Sequence, residues 1–189
     1  RDLKKQLDET VRTDTKGALM YLDLDDFKHI NDTLGHQYGD ILLKSISQAM
    51  SSVEGLESAC YRMGGDEFVA IVRKEHYHRF DKIQEDVKRI FTKPFFLKDS
   101  EYYCTMSMGV IEFPTEGTSV SELVQKADIA MYNAKKSGKN RVANYVEDQN
   151  DTSIRRLNLE KHMREASFGD YNEFEVYYQP IVSIGKTLV

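Results

Sequence analysis

Arg62-Met63-Gly64-Gly65-Asp66-Glu67-Phe68 is the stretch from which the rest of the chain is best read. Its adjacent glycines lie between two strand-like segments, residues 58–63 and 68–72, and that pattern signals a hairpin. Glycines at a hairpin tip leave the backbone open to close approach by a ligand. Asp66 and Glu67 follow at once, so two carboxylates stand at the edge of a sheet. A plain hairpin with a polar tip is the simpler reading, and seven residues alone do not choose between them.

On the N-terminal side, residues 18–24 form an apolar run that suits a strand buried on both faces. It ends in Asp23-Leu24-Asp25-Asp26, whose carboxylates repel one another unless a cation lies among them. Either they hold a cation, or Asp25 or Asp26 caps a helix over 27–34. On the C-terminal side, apolar positions predict a helix over 120–137, followed by Gly138 where a terminating glycine belongs. Its end reads Lys135-Lys136-Ser137-Gly138-Lys139-Asn140-Arg141, cations that complement the helix dipole or take an anionic ligand.

Between these landmarks the periodicity predicts helices over 1–12 (Leu3, Leu7, Val11), 40–53 and 76–91, a strand over 103–113 and an edge strand over 142–146. The order β-α-α-β-β-α-β-α-β defines an α/β arrangement with a mostly antiparallel sheet. Beyond residue 146 the composition shifts. Residues 147–153 are linker-like, 154–166 suit a charged helix, and 174–184 a fresh strand. The expected domains are therefore 1–146, a linker and helix over 147–169, and the start of another domain over 170–189.

The 189 residues are 40% hydrophobic and 30% charged, ordinary for a globular domain and too apolar for a disordered one. A net charge of −5 argues against a broad nucleic-acid surface, though not against a nucleotide held by a few local cations. Cys60 and Cys104, without paired spacing, read as small hydrophobes in a reducing cytoplasm, not as a zinc site. No apolar run approaches the length of a membrane span, and no signal-peptide pattern is visible.

Taken together, the clusters are more specific than any one of them. Carboxylates on a strand end and on a neighbouring hairpin can share hard divalent cations through oxygen, and such cations bridge phosphates. Nearby lysines would neutralise the rest of a triphosphate. The sequence here resembles the GGDEF family of diguanylate cyclases. Arg62 to Phe68 reads as the family signature, and Leu22 to Asp32 is similar to its D-x-D-x-F-K-x-I-N-D block. Gly35 to Asp40 resembles G-H-x-x-G-D, and Ala127 to Asn140 the closing A-D-x-A-M-Y-x-A-K-x-x-G-x-N helix. The family's opening D-x-L-T-G-L-x-N-R block is represented only by Arg1, so domain 1–146 is expected to have a truncated N-terminal edge.

The resemblance implies a nucleotidyl-cyclase, polymerase-palm-like (ferredoxin-like) fold. It also implies condensation of two GTP into cyclic di-GMP with release of pyrophosphate, assisted by Mg2+ or Mn2+, at a site formed between two domains of a homodimer. It makes Asp23, Asp66 and Glu67 metal ligands with the Leu24 carbonyl assisting, and gives Asp66 and Glu67 the catalytic roles, Glu67 either as ligand or as aid to deprotonating the 3′-hydroxyl. Lys28, Lys135 and Lys139 would contact phosphates, Gly64 and Gly65 leave room for the nucleotide, Asn31 and Asp40 read guanine, and Leu43 lines the base pocket. Asp25, Asp32, Arg62 and His36 fit bracing roles, and Asp128 and Tyr132 belong to the scaffold. Residues 174–184 look like the first strand of an EAL phosphodiesterase domain, implying a tandem cytoplasmic GGDEF–EAL protein with a sensory domain upstream. The other reading, of a different class, is a silent GTP-binding domain that regulates the attached EAL domain; the intact signature favours catalysis.

Many relatives carry an R-x-x-D product site whose Asp lies six residues before the first signature glycine. Counting back from Gly64 places Ser58 and Gly55 at those positions, in Gly55-Leu56-Glu57-Ser58. Neither the guanidinium nor the carboxylate that would grip the product is there. Cyclic di-GMP titrated against the chain is expected to show no binding through this segment. Micromolar binding abolished by substitution of Gly55 or Ser58 would overturn that.

Overall fold

The structure is a computed structural model that describes residues 1–98 and 100–146. The expected linker helix and EAL-like strand lie outside the described residues. Helix α1 (Asp2–Thr13) leads into β1 (Gly17–Leu24), then α2 (Phe27–Leu34) and α3 (His36–Ser51). The hairpin β2 (Cys60–Gly64) and β3 (Glu67–Val72) follows, then α4 (Phe80–Ile90) preceded by one 3-10 turn. A small hairpin, β4 (Phe95–Leu97) and β5 (Ser100–Tyr102), precedes β6 (Met106–Phe113), α5 (Val120–Lys136) and β7 (Arg141–Asn144).

The main sheet runs β2-β3-β1-β6-β7, with β1 antiparallel to both β3 and β6, and β7 parallel to β6. All eight residues of β1 are buried because both of its faces are covered. Ala18, Met20, Leu22 and Leu24 join one core with α2, α3 and α4, whereas Leu19 and Tyr21 join a second core with α1 and α5. By the same alternation Asp23 falls on the α5 side.

Several boundaries differ from the sequence reading for physical reasons. Helix α3 starts at His36 rather than at residue 40, because Gly39 is an interior helical residue set against α2: a Cβ there would lie 2.1 Å from Asn31 Oδ1. The strand expected from 103 begins only at Met106; residues 103–105 are in no regular element and follow a separate β4–β5 hairpin, with Lys98 at φ 57°. Val11 is exposed; the buried stripe of α1 is Leu3, Gln6, Leu7 and Thr10. Steps of four residues drift around a helix with 3.6 residues per turn, and by Val11 the drift has left the core face. Both cysteines are free, and burial pushes the thiols of Cys60 and Cys104 up to about 12, which keeps them protonated.

The tightest contact between layers is α5 on β6. A Cβ at Gly109 would sit 2.0 Å from Ala127 O and 2.3 Å from Met131 N, backbone atoms that cannot move aside. Gly109→Ala should therefore destabilise the fold by about 1–3 kcal/mol or more. Gly64→Ala, which would meet nothing within 4 Å, should change it by less than about 0.5 kcal/mol. Urea denaturation of the two variants checks both expectations.

Candidate functional site

The ends of β1 and β3 lie side by side, with Asp23 paired to Glu67 in the ladder. Leu24 N–H donates to Asp66 O at 3.3 Å, which ties the hairpin turn to the end of the central strand. The turn itself needs Gly65, whose φ is 53°. Gly64 has an ordinary φ and open space around it, so nothing in the chain itself demands a glycine there. Arg62 clasps the turn, donating from Nε and Nη2 to Gly65 O at 3.0 and 2.7 Å, the bracing role its position suggested. A bulge between Arg62 and Gly64 lets the strand bend into this turn.

The carboxylates at the end of β1 all reach toward the C-terminal end of α5. Lys135 Nζ lies 2.6 Å from Asp23 Oδ1, and Lys139 Nζ lies 2.6 Å from Asp26 Oδ1. Asp25, between them, is buried and accepts the Asn140 backbone N–H at 3.0 Å, with Thr105 Oγ1 and Ser107 Oγ each donating at 2.8 Å. Part of the cation that these clustered acids call for is thus supplied by the chain. Yet Asp23 Oδ1 is buried and has no hydrogen bond of proper geometry; the Lys135 ammonium meets it as an ion pair.

Burial pushes the Asp23 carboxyl up to about 6; Lys135 pulls it down, and Asp66 and Glu67 push it further up. Tyr21, on the same face two residues earlier, donates its hydroxyl to Glu67 Oε2 at 3.2 Å. Burial, then the negative charge of Glu67, raises the Tyr21 phenol, so it stays a donor. Asp128 on α5 is half-buried, and desolvation and then the charge of Glu67 raise its carboxyl.

The remaining residues lie farther along α2 and α3. Lys28 is exposed on the first turn of α2, after Asp26, whose φ is 57°. Asn31 is half-buried against Gly39, which brings it beside the residue preceding exposed Asp40. Leu43, one turn on, is buried in the core. Asp32 and His36 are exposed, and Tyr132 is half-buried. Glu57 is turned back on its own loop, where both carboxylate oxygens accept the Gly55 N–H at 3.1 Å.

Sequence reasoning missed Tyr21, Thr105 and Ser107. Tyr21 could have been found from the period of a strand that ends in Asp23; Thr105 and Ser107 could not, since only pairing of β1 with β6 brings them near Asp25. Among the described residues, no three acidic, imidazole or thiol groups converge closely enough to hold a metal ion by themselves. The donor set is two or three carboxylates, a backbone carbonyl and adjacent lysines around an open glycine turn.

A sheet of this topology with that cluster at one edge defines a nucleotidyl-cyclase-type domain. The family described as "Diguanylate cyclase, GGDEF domain" matches residues 1–141, and the chain belongs to it. The signaling protein YkoW of Bacillus subtilis is 36% identical over 89% of this chain and 21% of its own length. The bifunctional diguanylate cyclase/cyclic di-GMP phosphodiesterase MucR of Pseudomonas aeruginosa is 28% identical over 95% of this chain and 26% of its own length. The chain therefore spans about a quarter of these relatives or less. Among solved structures, the GGDEF domain of YfiN (TpbB) from Pseudomonas aeruginosa matches with a TM-score of 0.68 at 28% identity, covering 76% of this chain and 91% of that one.

The raised Asp23 carboxyl carries a sign that can be tested. An ordinary Asp titrates near 3.9, so between about 4 and about 6 the folded chain binds more protons here than the unfolded one. Stability from this group is present below about 4 and is lost as pH rises through about 6. Asp23→Asn should then stabilise the metal-free chain by roughly 1–3 kcal/mol at neutral pH, the gain fading below about pH 4. Thermal melts at the two pH values decide it; a variant less stable at neutral pH refutes the cause assigned.

Proposed function

We propose that this domain is a diguanylate cyclase, condensing two GTP into cyclic di-GMP with release of two pyrophosphates. The observation that carries the reading is the buried Asp23 carboxylate, met by the Lys135 ammonium at 2.6 Å, beside an open Gly64-Gly65 turn that presents Asp66 and Glu67. Such a set would suit a hard divalent cation, Mg2+ or Mn2+, held by Asp23 and Asp66 with the Leu24 carbonyl, and by Glu67 once the carboxylates draw together around the ion. When bound, the cation supplies charge neutralisation on the triphosphate and acidifies the attacking 3′-hydroxyl.

The chain's own residues do the rest. Lys28, Lys135 and Lys139 hold the phosphates together with the first N–H groups of α2. Gly64 lets the nucleotide approach the turn without meeting a side chain. Asn31 and Asp40 bind the guanine edge, Asp40 accepting from its N1–H and exocyclic amine, and Leu43 backs the base from the core. Glu67, held by the Tyr21 hydroxyl, ligates the cation or receives the proton from the 3′-hydroxyl. Each domain presents one GTP, so the active species is a homodimer with its sites face to face. A tandem arrangement with an EAL domain, an upstream sensory domain and a cytoplasmic setting complete the proposal, supported by the resemblance of residues 174–184 and by a relative named as bifunctional.

The Lys135–Asp23 pair also suits a regulatory domain that binds GTP and leaves it unreacted, because an ammonium already neutralises one of the carboxylates. Incubation of the chain with GTP and Mg2+, following cyclic di-GMP over a series of protein concentrations, separates the two. The cyclase reading expects product at a rate rising faster than linearly with protein. Asp66→Asn is expected to lower that rate by about 100-fold or more while leaving the fold intact, the scale for losing a preorganised electrostatic group. GTP binding without product would assign the regulatory role, and a fully active Asp66→Asn would remove Asp66 from the site.

A further inference from the structure

Of the two lysines that pair with the strand-end acids, Lys139 sits in the less ordinary backbone. Gly138, Lys139 and Asn140 have φ of 115°, 59° and 46°, three successive residues in the left-handed region, only the first a glycine. Side-chain-bearing residues avoid this region, and a run of them persists only where the surroundings fix it. The helix end fixes part of it, since Lys139 N–H donates to Ala134 O and Lys135 O, both at 3.2 Å. Asn140 has a different anchor. Its N–H donates to Asp25 Oδ2, an oxygen that also accepts from Thr105 Oγ1, while Ser107 Oγ donates to Oδ1 and Asp25 N–H donates to Thr105 O at 2.9 Å.

Asp25 is therefore a buried hub that joins the end of β1 and the start of β6 to the turn after α5. It is not aimed at the open turn, and its oxygens are already engaged. Lys139, one residue from the anchored amide, instead places its ammonium outward at Asp26.

We propose that Asp25 is a positioning residue for triphosphate binding, which acts through the Asn140 amide to hold the Gly138–Asn140 turn so that Lys139 stands at the site. This rests on the reading above that Lys135 and Lys139 take the phosphates. Loss of the anchor lets the turn relax out of the left-handed region, and the penalty falls on the phosphates while the guanine contacts on α2 and α3 are untouched.

The test compares GTP with GMP, in Mg2+, by calorimetry on the chain. Asp25→Ala should weaken GTP by about tenfold, the worth of one hydrogen bond to a charged group, and GMP by no more than about threefold. Asp25→Asn should stay within about threefold of the parent for both, because its amide oxygen can keep the Thr105 and Asn140 donors while its NH2 donates to Ser107 Oγ. GTP binding unchanged in Asp25→Ala, or GTP and GMP weakened alike, overturns the inference. A parent chain that binds GTP no better than GMP overturns instead the assignment of phosphates to the lysines, and the inference falls with it. Should Asp25→Ala fail to fold, hydrogen exchange at the Asn140 amide of the parent decides: protection supports the anchor, and exchange at the rate of an open loop refutes it.

Discussion

A central strand buried on both faces has to end somewhere, and β1 ends in acids. Leu22 and Leu24 fill one core while Asp23 points to the other side, under α5. Three carboxylates within four residues cannot lie at the edge of a core without compensation. The compensation comes from 112 to 115 residues away: Lys135 for Asp23, the Asn140 amide for Asp25, Lys139 for Asp26. This seam ties the middle of the sheet to the end of α5, and it fixes where Asp23, Lys135 and Lys139 stand. Arg62, the glycine turn and Glu67 are placed by the neighbouring strand, which pairs with β1 in register up to Asp23.

The seam is not arranged for greatest stability. A buried ion pair recovers its desolvation cost only when geometry and further hydrogen bonds are good. Asp25 meets that condition with donors on both oxygens; Asp23 does not, and its carboxyl remains pushed up to about 6 in spite of Lys135. Glu67 and Asp66 lie close enough to repel it, and Glu67 also repels Asp128 on the helix. Local conflicts of this kind in an otherwise consistent fold are expected at functional sites.

Much of this was legible in the sequence, and for identifiable reasons. The run 18–24, the paired glycines and the periodicity of α5 are local signals, and local signals give elements of the right type. The lysines and acids of the site were legible as clusters because each cluster is contiguous. What escaped reading depends on pairing or packing between distant segments. Thr105 and Ser107 are ordinary polar residues until β6 is laid antiparallel to β1. Gly39 lies outside the helix expected over 40–53, yet it is the residue that lets Asn31 and α3 approach. The β4–β5 hairpin has strands of three residues, too short for alternation to show. Tyr21 was hidden differently: it looks like one more apolar residue in a buried run, and only its hydroxyl, at Glu67, sets it apart.

Lys135 occupies an ambiguous position in this scheme, and its ambiguity follows from electrostatics alone. At 2.6 Å from Asp23 its ammonium is the cation that allows the strand end to fold in the absence of any other. Any divalent ion that comes to the same oxygen must compete with it, which weakens the ion's own binding. The same event releases an ammonium on a helix end four residues from Lys139, at the mouth where an anion accompanying the ion would lie. A cation alone therefore displaces Lys135 at a loss, whereas a cation arriving with a polyphosphate gives the displaced lysine a new counter-charge. Under the proposed function, the seam that holds the fold together would thereby favour the two ligands as a pair over either one by itself.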